Sequence, residues 1–162
     1  MQYKGAFAGL LYLVITGVMV VTVSGCASTP KANFVQDAQA KLFKTHPQKS
    51  IIYIYRRDTQ SSSVEMELMI DGQHVATSVG GTYIKLEVNP GRHRLVAYAD
   101  NSNKLMLATL KNKNYFISQD VREHNVQIQT RLSLVNEATG QSGVKQCEMI
   151  LLNPQAANLS LR

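Results

Sequence analysis

The fold is decided by the stretch Val64-Glu65-Met66-Glu67-Leu68-Met69-Ile70-Asp71-Gly72, in which apolar and polar side chains alternate. Met66, Leu68 and Ile70 fall on one side of an extended chain, and the two glutamates fall on the other. The final Asp-Gly pair supplies two residues that accept positive φ angles, as a two-residue hairpin requires. The stretch therefore predicts a strand and a tight turn, with a partner strand over Gln73–Val79.

Seven further stretches have the length and composition of strands. Ile51–Tyr55 is apolar on both faces, which is typical of a central strand that is covered on each side. Eight short strands separated by turn residues indicate an antiparallel β-sandwich or barrel, and we take the antiparallel β-sandwich as the predicted fold. The other seven strands are expected at residues 51–55, 73–79, 82–88, 93–100, 104–110, 115–121 and 126–135.

The turns and the end of the domain are predicted in less detail. In the strand after the Asp-Gly turn, we expect one face to carry Val75, Thr77 and Val79. Asn89-Pro90-Gly91-Arg92 fits a type II turn, with glycine at the position that needs positive φ. The segment 137–140 is expected to form a turn, 144–152 a final strand or a short helix, and 153–162 a loose tail. The sandwich domain then spans residues 50–152.

A tether and a short helix are predicted ahead of the sandwich, in residues 26–49. Ala27–Ala32 is small, polar and interrupted by proline, as flexible linkers are. Asn33 can cap a helix over Asn33–Lys44. Its apolar side chains would gather on one side and cover one end of the sheet, and they are Phe34, Ala38, Leu42 and Phe43.

The N-terminal segment, residues 1–25, is expected to be a signal peptide. Ala6–Val23 is uncharged and rich in aliphatic residues, and it follows the single positive charge of Lys4. Its length fits either a long signal peptide or a membrane-spanning helix. Ser24 and Gly25 favour cleavage, because a signal peptidase needs small side chains beside the scissile bond.

Val23-Ser24-Gly25-Cys26 resembles the bacterial lipoprotein signal. The resemblance implies a diacylglyceryl group on the sulfur of Cys26, cleavage before Cys26 and acylation of the new amino group. Several acyl chains give a stable anchor where one would be marginal. Residue 27 is Ala and not Asp, which implies sorting to the outer membrane of a Gram-negative host. We expect a lipid-anchored protein that faces the periplasm and has no cofactor besides this covalent lipid.

Charge and cysteine content limit the classes of partner. The formal net charge is +6, which suits a surface near anionic lipid or polysaccharide, although a merely solvated basic surface is an equal alternative. No basic run or basic-aromatic motif points to nucleic acid. If Cys26 is lipidated, Cys147 has no intramolecular partner, so a disulfide framework is excluded. We expect a buried apolar Cys147, with an intermolecular disulfide or a reactive thiol as the alternatives.

The sequence contains none of the catalytic motifs for which we searched: a nucleophile elbow, a zinc-protease helix, a phosphate loop or a dinucleotide fingerprint. The four histidines are scattered, and Ser61–Ser63 is interpreted as a loop tip. An Asp71–His74 contact is expected to cap the turn and not to catalyse. We therefore predict no catalytic residue, no metal site and no enzymatic activity.

Two arginines form the candidate binding site. Arg92 and Arg94 project to the same face of an extended strand, and Arg56 or Arg57 is expected on a neighbouring strand. Arginine side chains in such a cluster can hold phosphate or carboxylate groups. The alternative is that these charges protect an edge strand from pairing with another chain. Tyrosines at 53, 55, 83 and 98 could line a sugar-binding face, although core packing is the commoner role.

The ordered strand motifs resemble a bacterial lipoprotein family known as domain of unknown function 2846, over about Ser50–Met149. The hairpin pattern is also similar to that of PEGA modules, which are associated with carbohydrate surfaces. The resemblance implies a small β-sandwich on a lipid anchor and no particular activity. The motifs that carry it are Ile52-Tyr53-Ile54-Tyr55-Arg56, Met69-Ile70-Asp71-Gly72, Gly81-Thr82-Tyr83, Pro90-Gly91-Arg92-His93, Asn114-Tyr115-Phe116, Arg131-Leu132-Ser133-Leu134-Val135 and Cys147-Glu148.

Three functional classes remain from the sequence. The first is a non-enzymatic interaction or structural module of the cell envelope, with another envelope protein as its partner. The second is a module that binds an anionic envelope polymer, lipopolysaccharide or peptidoglycan, through Arg92 and Arg94. The third and least favoured is an envelope hydrolase.

Overall fold

The computed structural model describes residues 30–58, 63–124, 127–154 and 156. They form two β-sheets and two short helices. The elements in chain order are α1 Phe34–Ala40, β1 Ser50–Arg56, β2 Met66–Ile70, β3 Gln73–Ser78, β4 Thr82–Val88, β5 Gly91–Tyr98, β6 Ser102–Thr109, β7 Lys113–His124, β8 Gln127–Val135, α2 Glu137–Lys145 and β9 Glu148–Met149. The predicted strands are all present, with ends displaced by a few residues at most.

The two sheets pack as a β-sandwich, which confirms the predicted fold class. One sheet has five strands in the order β8-β7-β1-β4-β9, and the other has four in the order β3-β2-β5-β6. The four-stranded sheet is antiparallel throughout. The five-stranded sheet is mixed, because β1 pairs in parallel with β7 and β4 in parallel with β9. The expectation of a wholly antiparallel sandwich was therefore wrong for this sheet.

The hairpin of β2 and β3 forms as predicted, with one irregularity. Asp71 and Gly72 have φ angles of 52° and 81°, as a turn with two left-handed residues requires. The register shifts between Leu68 and Met69, which leaves Val75 as an extra residue on β3. Beyond this bulge the buried positions change from odd to even numbers, so Ala76 is buried and the predicted Val75, Thr77, Val79 face does not exist.

The main core lies between the sheets. Alternate residues of the strands point inward, and the aliphatic side chains at these positions are almost completely buried. Burial of this kind contributes about 25 cal/mol for each Å² of apolar surface removed from water. The members that the hairpin and its neighbours contribute include Leu68, Ile70, Ile84, Leu86, Leu95 and Leu107.

A second core lies on the outer side of the five-stranded sheet, beneath the helices. It is aromatic, and its main members are Tyr53, Tyr55, Tyr83 and Phe116, with Cys147 beside them. The rings of Tyr53 and Phe116 stack with their centroids 5.1 Å apart. Because β1 contributes to both cores, its apolar residues are buried on both faces, as predicted.

Helix α2 replaces the turn that was predicted at 137–140. Asn136 caps the helix by accepting a hydrogen bond from the backbone N–H of Thr139 at 2.9 Å. Gly140 and Gly143 face the sheet, and a Cβ atom built on them would lie 2.1 Å from Phe116 and 2.2 Å from Tyr55. Gly140, which suggested a turn, is thus one of the two glycines that let this helix approach the sheet closely.

Helix α1 begins at its predicted cap but does not present the predicted face. Asn33 and Gln36 form a reciprocal capping box. Phe34 is 84% exposed and Leu42 is 60% exposed, so the predicted apolar stripe does not cover the sheet. The contacts to the second core come from the buried Ala40 and the half-buried Phe43.

Two further expectations are corrected at loops. Gly91 has a φ of 157° and begins β5, so the segment 89–92 is not a type II turn, which needs φ near +80° there. The predicted loose tail begins with ordered contacts: the N–H of Asn153 donates to the carbonyl of Val75 at 2.7 Å, and Ala156 is buried in the main core. The packed unit therefore includes residues beyond 152.

Candidate binding surface

The outer face of the four-stranded sheet is exposed at most of its positions, Val96 being buried, and it carries the two arginines of the predicted site. Arg92 and Arg94 are both exposed on β5, and they project to the same side as predicted. Across the strand pair they lie opposite Ala108 and Met106 of β6. We call this surface the open face, and its residues are Glu67, Met69, Arg92, Arg94, Val96, Tyr98, Ser102, Lys104, Met106 and Ala108.

The open face combines cations with apolar side chains. Arg92, Arg94 and Lys104 form no ion pair with any residue in the described ranges. Met106 is 64% exposed and Tyr98 is 41% exposed. Three cations against the single carboxylate of Glu67 give this face a positive potential.

The backbone of Arg94 is held in place by a partly buried hydrogen-bond network. Asp71 accepts from the N–H of Arg94 at 2.8 Å, and its second oxygen lies 2.7 Å from Nδ1 of His93. Nε2 of His93 lies 2.8 Å from the carbonyl oxygen of Asn89. This network joins the β2–β3 turn to the β4–β5 connection, so the strand that carries the arginines begins from a fixed position.

The predicted contact between Asp71 and His74 is wrong, because Asp71 is directed to His93. The bulge on β3 explains the difference: it rotates the start of the strand, and His74 contacts Thr77 at 3.3 Å and Asn153 at 3.1 Å. The sequence analysis did not identify His93 as the partner of Asp71, because the two residues are 22 positions apart in the chain.

Arg56 and Arg57 do not join the arginine pair. Strand β1 pairs with β4 and β7 in the other sheet, and β5 pairs only with β2 and β6. Arg56 is fully buried, and it donates to Asp58 at 2.6 and 2.9 Å and to the carbonyl of Val64 at 2.6 Å. Arg57 is exposed and follows the end of β1. The prediction that one of them lies on a neighbouring strand was therefore wrong.

The structure answers the alternative explanation of edge protection for one arginine of this pair. Strand β5 pairs with β6 along Gly91–Tyr98, whereas β2 pairs only with Leu95–Tyr98. On the β2 side, Asp71 bonds both the backbone N–H and the carbonyl of Arg94, so this residue has no free edge to protect. Arg92 lies beyond the end of β2, and edge protection stays an alternative there.

The tyrosines are divided between core and surface. Tyr53, Tyr55 and Tyr83 are buried, and only Tyr98 reaches the open face. Burial, followed by the charge of Glu87, raises the pKa of Tyr53 to about 12. Burial, followed by the charge of Asp37, also raises the pKa of Tyr83. These rings serve packing, and they do not form a sugar-binding face.

Cys147 is buried, as predicted, with 2% of its surface exposed. Its thiol lies 3.5 Å from the carbonyl oxygen of Arg56. Burial raises the pKa of the thiol to about 11. The protonated, enclosed thiol is a poor nucleophile, which favours packing over the two reactive alternatives.

The sequence did not reveal a polar cleft of about 340 Å³ where β6 meets β8. Asn101 and Asn103, which lie between the predicted strands 93–100 and 104–110, reach across to the other sheet. They accept hydrogen bonds from the N–H groups of Thr130 at 2.9 Å and Leu132 at 2.8 Å. The remaining lining is Asp120, Arg122, Gln129, Arg131 and Ser133. The sequence signal for this cleft was the spacing of Asn101 and Asn103, which places both side chains on the same side of an extended chain.

Neither a metal centre nor a membrane-spanning helix is found in the described parts of the chain. Within them, no group of three or more His, Cys, Asp and Glu side chains could hold a metal ion. No helix there is long and apolar enough to cross a membrane. The predicted lipidation site Cys26 and its motif Val23-Ser24-Gly25 lie outside the described residues, as do Ser61 and Ser62.

Comparison with known proteins identifies the family. No curated protein and no solved structure matches the chain. A family profile described as "Protein of unknown function (DUF2846)" matches residues 46–131, which is more than half of the 162 residues. The match begins just before β1 and ends within β8, so the motifs at 132–135 and 147–148 that were included in the predicted resemblance lie beyond it. The chain belongs to this family, DUF2846.

Proposed function

We propose that the protein is a non-enzymatic lipoprotein of the outer membrane, anchored through acyl chains on Cys26 and facing the periplasm. Its open face binds a partner, and the composition of that face favours another envelope protein. The anchor is supported by the lipoprotein-like motif at 23–26, and the module by the family and the sandwich fold. The absence of a recognised catalytic motif supports a role without turnover.

One observation supports the binding role: the two outer faces of the sandwich differ in whether helices cover them. The central strands of the five-stranded sheet are covered by helices over an aromatic core. In the part of the chain that the structure describes, no helix lies over the open face, which carries Arg92 and Arg94 beside Tyr98 and Met106. Arginine, tyrosine and methionine are enriched where proteins bind one another. This composition favours a protein partner over a purely electrostatic one.

Photo-crosslinking in cells tests the proposal. A photoreactive amino acid at Met106 lies opposite Arg94 and leaves both arginines intact. Ala138, exposed on α2, is the matched control position on the other side of the sandwich. We expect a discrete adduct of defined mass from position 106 and none of that mass from position 138. Equal adducts at both positions, or none at either, would overturn the open face as the binding surface.

A second candidate is an anionic envelope polymer, which the excess of cations on the open face favours. In this case position 106 would give a heterogeneous adduct that contains sugar or lipid. Co-sedimentation with peptidoglycan or lipopolysaccharide would decrease with salt, because exposed ion pairs are screened. Arg92→Glu/Arg94→Glu would abolish the binding and Lys44→Glu/Lys145→Glu, on the opposite side, would preserve it. Binding that resists salt contradicts this candidate.

The anchor has its own test. The chain labelled with radioactive palmitate should carry the label, and Cys26→Ser should remove it and leave the unprocessed N-terminus. Fractionation of the membranes then reports whether the labelled chain resides in the outer membrane. A labelled Cys26→Ser variant would contradict lipidation at this residue.

A further inference from the structure

Helix α1 exposes apolar side chains that the fold does not use. Phe34 is 84% exposed, Val35 is 60% exposed and Leu42, just after the helix, is 60% exposed. Isolated apolar residues on a surface are ordinary, but adjacent large ones beside one helix are a common feature of interaction sites. Phe34 also borders a cleft of about 280 Å³ with Met149.

The outward side of α1 carries no charge. Its exposed residues are Phe34, Val35, Gln36, Ala38 and Gln39. The one charged residue of the helix, Asp37, is turned towards the protein. Its two carboxylate oxygens accept hydrogen bonds from the N–H of Met149 at 2.9 Å and from Nζ of Lys41 at 2.7 Å. Burying this side in an apolar medium would therefore desolvate no unpaired charge, which is the main cost of such a transfer.

The position of α1 in the chain identifies the apolar medium. Phe34 follows Cys26 by eight residues, and Pro30 follows it by four. A fully extended chain spans at most about 3.6 Å for each residue, so Phe34 lies within about 29 Å of the Cys26 backbone and Pro30 within about 14 Å. With its acyl chains in a bilayer, Cys26 sits at the membrane surface. The tether therefore keeps Phe34 within about 29 Å of the membrane surface, and a bent tether brings α1 against the bilayer.

We infer that the outward side of α1 rests on the bilayer that holds the acyl chains of Cys26, with Phe34 and Val35 inserted at the headgroup boundary. This inference rests on the lipid anchor proposed above. Amphipathic helices in this position insert their apolar side chains about 5–10 Å into the boundary between headgroups and acyl chains. Because the contact is uncharged, it requires no anionic lipid. It also orients the domain: α1 lies on the outer side of the five-stranded sheet, so the open face points away from the membrane.

The absence of tryptophan from the sequence provides a direct test. In the full acylated protein, Phe34→Trp introduces one indole at the proposed contact, and Tyr98→Trp introduces one on the open face as a matched control. Each protein is reconstituted into vesicles of phosphatidylethanolamine and phosphatidylglycerol that contain brominated lipids. We expect the indole of Phe34→Trp to be quenched at least about threefold more than that of Tyr98→Trp, as headgroup-level insertion requires. High salt should leave this difference unchanged.

A second variant separates insertion from simple proximity. Val35→Asp, added to Phe34→Trp, places an unpaired charge on the contact and should reduce the quenching towards that of the control. Equal quenching of Phe34→Trp and Tyr98→Trp, or quenching unaffected by Val35→Asp, would overturn the inference. So would an indole that is shielded from water without bromine quenching, since a second protein copy would then cover α1. Mass spectrometry of each preparation shows whether the acyl chains are present, so a failed anchor is distinguished from a failed contact.

Discussion

The two outer faces of the sandwich differ in what lies over them. Outside the five-stranded sheet, Tyr53, Tyr55 and Phe116 are buried beneath two helices. Outside the four-stranded sheet, Arg92 and Arg94 face solvent. A strand that is apolar on both faces must be covered on both, whereas a strand with regular alternation needs one cover only. Ile51–Tyr55 is apolar on both faces and Val64–Ile70 alternates, and this difference in the sequence accounts for the helix-covered face of one sheet and the exposed face of the other.

The helix-covered face is stabilised by close aromatic packing. Phe43 contacts the rings of Tyr53 and Phe116 edge-on, with centroids 5.4 and 5.6 Å away. Each such pair contributes about 0.5–1.5 kcal/mol beyond the burial of its area. We expect substitutions on this face to change the free energy of unfolding, and substitutions on the open face to change binding alone.

The largest effect is expected for a buried arginine compared with an exposed one. Arg56→Met removes the partner of Asp58 and the donors to two backbone carbonyls. We expect a loss of about 3 kcal/mol in the free energy of unfolding, the lower part of the range for breaking a buried pair, because Asp58 keeps some contact with water. Equilibrium urea unfolding measures it. Arg92→Met is the control and should change stability by less than about 0.5 kcal/mol; similar losses in both would contradict the comparison.

A somewhat smaller loss is expected where α2 meets the sheet. In an isolated helix, replacing glycine by a residue with a side chain increases helix stability. Gly140→Val should do the opposite and cost about 2 kcal/mol, because its Cβ would lie 2.1 Å from that of Phe116. Ser142→Ala, on the exposed side of the same helix, should leave the unfolding midpoint unchanged or raise it slightly. Stabilisation by Gly140→Val would show that α2 can move away from the sheet.

The pH dependence of stability should reveal the buried thiol. The pKa of Cys147 is raised to about 11 in the folded protein, so the unfolded chain releases its thiol proton at lower pH. The stability linked to this group is complete below about pH 9 and decreases as the pH rises towards 11, with about 1 kcal/mol lost by pH 10. The buried tyrosines act in the same direction. The difference between the native protein and Cys147→Ala isolates the thiol, and parallel pH profiles would contradict this assignment.

The smallest effect on stability is expected on the open face. Arg92→Ser/Arg94→Ser should change the free energy of unfolding by less than about 0.5 kcal/mol, since neither side chain packs into the core or pairs with a described carboxylate. Partner binding should nevertheless be lost. Measuring both quantities on one preparation tests the comparison most sharply, because a large loss of stability would make the open face structural.

Local sequence patterns predicted where the strands are, but they did not predict which strands pair with one another. The Asp71-Gly72 hairpin follows from two residues and their φ preferences, and it formed as expected. The parallel pairing of β1 with β7 joins residues that are more than sixty positions apart. No turn residue signals such a pairing. Arg56 or Arg57 was expected on a strand next to Arg92 and Arg94 for this reason, although β1 belongs to the other sheet.

The candidate site was predicted in part. The shared face of Arg92 and Arg94 follows from strand periodicity alone. The place of β5 inside the sheet, and the hydrogen bonds of Asp71 with His93 and with the backbone N–H of Arg94, require the tertiary structure. Gly140 misled the prediction, because a glycine in a turn and a glycine that lets a helix approach a sheet look alike in sequence.

The side-chain hydrogen bonds between the two sheets indicate where slow chemical damage to this protein should first change its structure. Asn101 holds Thr130 from both sides, accepting from its N–H at 2.9 Å and donating to its carbonyl at 3.4 Å, as the backbone of one more strand would. The end strand β8 is thereby closed by a side-chain amide. Asparagine amides hydrolyse slowly to carboxylates, and a carboxylate at 101 would repel the carbonyl that the amide now binds. Chemical damage at Asn101 would therefore open this edge and leave both cores in place.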